Sequence, residues 1–142
     1  MITYVDTTAL LKRLLAEDGS DVADLIWNAA DVLASAATVV VEARAALAAA
    51  QRGGRLSVAE LSKAKAQLGD LFDEVTFVEV TGSLIQVAAE IAEAEALRGY
   101  DAVHLAVALT IEANVLTSAD TALCDAAQRR GLLVANPLGL AR

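Results

Sequence analysis

A single cysteine, Cys124, excludes an internal disulfide and a cysteine-based zinc knuckle, and it fits a reducing compartment. Only five aromatics (Tyr4, Trp27, Phe72, Phe77 and Tyr100) stand against 32 alanines in 142 residues, so close-packed helices must supply much of the buried surface. No uncharged run exceeds 11 residues, short of the ~20 needed to span a bilayer, and the N-terminus lacks a basic segment followed by an apolar block. A soluble, cytoplasmic protein is expected. Basic residues are also scarce, 11 against 19 acidic ones, which leaves a formal charge of −8. Such a field disfavours indiscriminate binding to phosphate backbones. It leaves room for a local carboxylate cluster that holds divalent cations, or for a surface that receives a basic partner. What the chain has in quantity is apolar side chain, 56% of residues, which excludes disorder and suffices for one domain's core.

The apolar pattern alternates between short β-like runs and helical stretches. Ile2, Tyr4 and Val5 form a strand that ends at Asp6, and Leu10, Leu11, Leu14 and Leu15 predict a helix over Thr7 to Ala16. After a turn at Asp18 to Ser20, a second helix carries Val22, Leu25, Ile26 and Ala29, and Val32 to Ser35 reads as a strand. A helix from Thr38 runs to the Gly53-Gly54 stop, and a partner helix opens at the Ser57/Glu60 capping box and ends near Phe72. Val75 to Val80 is rich in β-branched residues and predicts a strand, followed by a helix lined by Leu84, Val87, Ile91 and Ala94. Glu90, Glu93 and Glu95 are expected on its solvated face. Gly99 is expected to end that helix and Asp101 to start the next, buried on most sides to Glu112. A strand over Val115 to Thr117, a helix over Asp120 to Arg130 and a strand over Leu132 to Ala135 complete the pattern, and Pro137 ends it. Strands separated by helices, without a tight hairpin signal, predict a parallel sheet covered on both faces. With no linker or repeat, residues 1–142 read as one domain.

Three aspartates recur in one context. Asp6 follows the first strand, Asp120 follows the fourth, and Asp101 opens a buried helix. Singly, each is explained as a helix N-cap. In an open parallel sheet, however, the C-terminal strand ends face one crevice, so Asp6 and Asp120 should approach each other. Glu42 lies near the start of a helix after another strand end, where no capping box explains it, although an exposed first-turn glutamate is the plainer alternative. Convergence of all four carboxylates would imply a cation among them, and hard oxygen ligands select Mg²⁺ or Mn²⁺ over zinc.

The segments Tyr4 to Leu11 (YVDTTALL), Glu42 in its helix, Gly99 to Ala106 (GYDAVHLA) and Leu116 to Leu123 (LTSADTAL) resemble the PIN-domain family, in particular the VapC toxins of bacterial toxin-antitoxin pairs. The resemblance spans the chain. It implies a three-layer α/β/α fold with a short-stranded parallel sheet, and an endoribonuclease dependent on Mg²⁺ or Mn²⁺ that acts on tRNA or ribosomal RNA and is held inactive by a cognate VapB-type antitoxin. By position, Asp6, Glu42, Asp101 and Asp120 would be the acidic quartet, with Thr7 and Ser118 orienting the metal ligands. Two positions depart from the family pattern, Ala122 where some relatives are acidic and Leu123 where phenylalanine is commoner, and they leave the number of metal ions open.

A metal bridged mainly by Asp6 and Asp101 would activate water for in-line attack, with Glu42 and Asp120 completing the shell and a 5′-phosphate product expected. Among the basic residues Lys12, Arg13, Arg44, Arg52, Arg55 and Arg98, the ones flanking acidic motifs, Lys12, Arg13 and Arg44, are the expected substrate contacts. His104 reads as a hydrogen-bonded helix residue within reach of the site, Cys124 as a structural thiol, and Trp27 as core or interface. Apolar helix faces make a homodimer plausible, and the family resemblance suggests one. Two other readings are a Mg²⁺-dependent phosphatase or phosphotransferase, which would want a well-placed lysine, and a non-catalytic interaction module whose carboxylates are only caps.

Overall fold

Tyr4 and Val5 are neighbours in one strand, yet they belong to different hydrophobic cores. That alternation is the signature of a sheet buried on both faces, and the computed structural model, which describes residues 1–139, is built around it. The expected domain span of 1–142 thus ends three residues beyond the described ones. The first half contains β1 (Ile2–Val5), α1 (Thr7–Leu11), α2 (Ser20–Ala29), β2 (Val32–Ala36), α3 (Val39–Arg52) and α4 (Val58–Phe72). There follow β3 (Val75–Val78), α5 (Gly82–Glu95), α6 (Gly99–Thr110), β4 (Val115–Thr117), α7 (Thr121–Arg129) and β5 (Leu133–Ala135).

All five strands pair in parallel, in the order β3-β2-β1-β4-β5. One core packs α5, α6 and α7 against Tyr4, Ala36 and Leu116; the other packs α1, α2, α3 and α4 against Val5 and Leu33. The predicted three-layer α/β/α architecture is therefore the observed one. Because β1 pairs with β2 on one side and β4 on the other, the connections diverge at β1, and the crevice above the C-terminal ends of β1 and β4 is the topological switch point. Among the described residues no helix is long and apolar enough to cross a membrane.

Four local expectations are corrected. The first helix ends at Leu11 rather than Ala16, because Arg13 and Leu14 bond back to Leu10 and Leu11 in tight turns and Ser20 Oγ takes the Leu15 carbonyl. Gly19 then turns the chain with φ +88°, where a Cβ would meet the Pro137 carbonyl oxygen at 2.8 Å. The third strand stops at Val78, two residues early. Gly99 does not end α5; Ala96 does, in the left-handed region at φ 53°, and α6 starts at Gly99 with Arg98 as its N-cap. Asp101 is thus inside the first turn and carries no capping duty. Finally, Glu95 is not solvated: it accepts from Arg129 Nε at 2.8 Å and Arg130 Nε at 2.7 Å, tying α5 to the end of α7.

Candidate functional site

Asp6 is the first residue beyond β1 and is only 1% exposed. It caps α1 by accepting the Ala9 N–H at 2.9 Å, so the plain helix-cap role holds. It also does more. Ser118 Oγ donates to Oδ2 at 2.6 Å, and Thr8 Oγ1 donates to the carboxylate at 2.8 and 3.0 Å. Each hydroxyl oxygen in turn accepts an N–H from the loop after β4: Ala119 N–H on Thr8 at 2.8 Å and Asp120 N–H on Ser118 at 2.9 Å. The two strand ends are joined through one carboxylate. Burial pushes the Asp6 carboxyl above its ordinary value, opposed by the charge of His104 and by the Ser118, Ala9 and Thr8 hydrogen bonds. A buried carboxyl with this balance favours a nearby cation.

Glu42 lies in the first turn of α3 and is not the exposed helix-start residue of the plainer reading. Its Oε1 accepts from Thr7 Oγ1 at 2.8 Å and from His104 Nε2 at 2.8 Å. His104, 2% exposed, is hydrogen-bonded on its other nitrogen to Tyr4 Oη at 2.6 Å, and Tyr4 Oη accepts the Ala36 N–H at 3.0 Å. Burial opposes charge on both Glu42 and His104. Their mutual contact prevails, lowering the Glu42 carboxyl below its usual value and raising the His104 imidazole above its own.

Asp101 and Asp120 meet through a side chain. Arg98 Nη2 donates to Asp120 Oδ2 at 3.1 Å, while Arg98 Nε and Nη2 lie 3.4 Å from Asp101 Oδ2. Asp120 also caps α7 by accepting the Leu123 N–H at 3.0 Å. Burial and the neighbouring Asp120 charge push the Asp101 carboxyl up, and Arg98 and His104 oppose the shift.

Asp6, Glu42 and Asp101 line one cleft of about 470 Å³, with Thr7, Thr8 and His104 beside them and Val41 and Tyr100 on its wall. Asp120 reaches this group through Arg98 and Ser118. Three of the four carboxylates thus share one crevice, with Asp120 outside its lining, and among the described residues no three Asp, Glu, His or Cys side chains close into a metal-holding cluster. Each carboxylate has a partner of its own: hydroxyls on Asp6, His104 on Glu42, and Arg98 across Asp101 and Asp120. The guanidinium marks a place where positive charge is favoured between carboxylates, and the hard oxygen donors around it suit Mg²⁺ or Mn²⁺.

Thr7 donates to Glu42 and Ser118 to Asp6; Thr8, Tyr4 and His104 are further members of this hydrogen-bond network that the sequence reading did not assign to the site. Thr8 is legible in hindsight, since side chains in a helix lean toward its N-terminus and so toward the Asp6 cap. The expected basic contacts fare differently. Lys12, 8% exposed, donates to Glu17 at 3.1 Å. Arg13 lies 3.2 Å from Asp24 and over the Trp27 ring. Both are absorbed by the interior; only Arg44 is exposed. Cys124 is structural as expected: its Sγ donates to the Ser118 carbonyl, and burial pushes the thiol up to about 11.

Sequence comparison matches residues 3–129 to the PIN domain. Two relatives from Mycobacterium tuberculosis, ribonuclease VapC45 of strain CDC 1551 / Oshkosh and ribonuclease VapC49 of strain H37Rv, are each 41% identical over 110 residues, covering 78% of this chain and 76% of theirs. Among solved structures, Mycobacterium tuberculosis VapC20, a sarcin-ricin loop cleaving toxin, superposes with TM-score 0.68 at 20% identity, covering 92% of this chain and 96% of its own. VapBC2 from Rickettsia felis, bound to a DNA fragment from the promoter, gives TM-score 0.66 at 13% identity, over 96% and 98% of the respective chains.

Proposed function

The chain belongs to the PIN-domain family, and from that premise we propose that it is a VapC-type toxin, an endoribonuclease that hydrolyses structured RNA and is neutralised by a cognate VapB-like antitoxin. The observation that carries the reading is Asp6: a fully buried carboxylate at the switch point of a parallel sheet, held by hydroxyls from two loops and opening on a cleft with Glu42 and Asp101. Asp6, Asp101 and Asp120, with Glu42, are the residues that would hold Mg²⁺ or Mn²⁺. When bound, the ion supplies a water of lowered pKa and positive charge against the phosphodiester.

The protein's own part is positional. Thr8 and Ser118 fix both Asp6 oxygens, so the carboxylate does not reorganise as charge develops. Thr7 and His104 hold Glu42 Oε1 and leave Oε2 without a partner among the described residues. Tyr4 holds the ring of His104 from behind. tRNA and ribosomal RNA are the substrate classes we assign. A basic antitoxin segment suits an acidic crevice in a chain of charge −8, and exposed Val41 and Tyr100 beside it suit a homodimer or partner contact.

The other two readings are weaker. A phosphotransferase site wants a lysine, and Lys12 is committed to Glu17. A module with capping carboxylates accounts for Asp6 and Asp120 but not for Glu42 and Asp101, which cap nothing. The test is cleavage of a hairpin RNA by purified chain with Mn²⁺ or Mg²⁺: loss in excess chelator and in Asp6→Asn is expected, and full activity in either rejects the proposal.

A further inference from the structure

We propose that Arg98 is a tethered counter-ion with two successive partners: it neutralises Asp101 and Asp120 until a divalent cation takes that place, and it then grips a phosphate of the RNA. The inference rests on the metal-dependent nuclease reading above. Arg98 is anchored at one end only. Its backbone is the extended N-cap of α6, next to buried Leu97, whereas its side chain is 79% exposed and reaches across to carboxylates on two different elements. Ion pairs made by so exposed a guanidinium are weak, and a dication at the same two carboxylates outcompetes a single positive charge. The guanidinium is therefore held loosely enough to be displaced.

Displacement leaves it with an unpaired charge next to Asp101, which lines the cleft. Among the described residues Lys12 and Arg55 are engaged with Glu17, Arg13 with Asp24, and Arg129 and Arg130 with Glu95, while Arg44, Arg52, Lys63 and Lys65 make no ion pair and touch none of the four carboxylates. Arg98 is the cation that already touches the acidic group, and its planar fork matches a phosphate as well as it matches a carboxylate. A chain of net charge −8 has few other means of holding an RNA strand against its carboxylates.

The experiment compares metal-stripped wild type, Arg98→Ala and Arg98→Lys in two arms. In the first, Mn²⁺ binding is followed calorimetrically without RNA. Arg98→Ala should bind Mn²⁺ about threefold to tenfold more tightly than wild type, with Arg98→Lys between them. In the second, cleavage of a hairpin RNA is measured at saturating Mn²⁺. Arg98→Ala should raise KM about threefold to tenfold and make the salt dependence of kcat/KM shallower by roughly one released counter-ion, and Arg98→Lys should recover part of both. Unchanged or weaker Mn²⁺ binding by Arg98→Ala overturns the first half, and an unchanged KM and salt slope overturns the second. If wild type binds no Mn²⁺ at all, the nuclease reading itself fails and this inference falls with it; if wild type binds and cleaves normally while Arg98→Ala matches it in both arms, only the inference fails.

Discussion

His104 Nε2 donates to Glu42 Oε1 at 2.8 Å, linking a buried helix of one layer to a helix start in the other. Because the contact lowers the Glu42 carboxyl and raises the His104 imidazole, its contribution to stability depends on pH on both sides. The Glu42 part is fully present above the ordinary carboxyl value of 4.5 and is lost as pH falls through the lowered folded value. The His104 part is fully present below the ordinary imidazole value of 6.5 and is lost as pH rises through the raised folded value. In chelator, the Tm difference between wild type and His104→Gln should therefore be largest between these two pH values and shrink above and below them. A difference that does not vary with pH contradicts the pairing.

Ser118 and Thr8 are predicted to matter for metal affinity out of proportion to their size. Ser118→Ala removes the 2.6 Å donor to Asp6 and orphans the Asp120 N–H, a buried loss of about 1–3 kcal/mol. Thr8→Val removes the second hydroxyl and orphans the Ala119 N–H. Mn²⁺ affinity, read by thermal shift, should fall about tenfold to a hundredfold in either variant while both remain folded by circular dichroism. Wild-type affinity in both would show that the hydroxyls only join the loops.

The buried Asp6 carboxyl holds its proton above the usual carboxylate range, and so does Asp101. A cation must displace those protons, so the Mn²⁺-induced rise in Tm should grow as pH increases from about 4 until both groups are ionised. In metal-free protein the sign reverses: between the unfolded and the raised folded value, the folded state binds more protons, and Asp6 costs stability as pH rises. Asp6→Asn should accordingly abolish the Mn²⁺ shift and lessen that metal-free decline. A pH-independent Mn²⁺ shift, or its persistence in Asp6→Asn, contradicts this assignment.

The layered architecture was legible because apolar runs of three to five residues alternate with helical stretches, and a parallel sheet follows from that order alone. Asp6 and Asp120 could be placed for the same reason, since the position of a strand end is readable even when its partner is not, whereas Asp101 follows a helix and was read only as the start of a buried one. What escaped was mostly tertiary. Nothing local shows that Ala96 adopts the left-handed region, so Gly99 looks like the helix stop and Asp101 like a cap. Thr8 and Tyr4 look like ordinary helix and strand residues until the loop after β4 and the His104 ring are brought against them. Lys12 and Arg13 look like free charges because Glu17, Asp24 and Trp27 become their partners only in the folded chain.

Glu95 provides a control. It clamps Arg129 and Arg130 on the far side of α5 and touches no site residue. Glu95→Gln should lower Tm slightly through loosened α7 and leave RNA cleavage and Mn²⁺ binding at wild-type levels. A loss of cleavage without a loss of Tm would place a functional surface there.

The measurement closest to the central claim is RNA cleavage by metal-stripped protein with Mn²⁺ added back, run beside Asp101→Asn. The account predicts no cleavage in chelator, recovery as Mn²⁺ is titrated in, and at least a hundredfold lower rate in Asp101→Asn, on the order of the loss of a group that stabilises transition-state charge. Cleavage that proceeds equally in chelator, or an Asp101→Asn variant as fast as wild type, would contradict it.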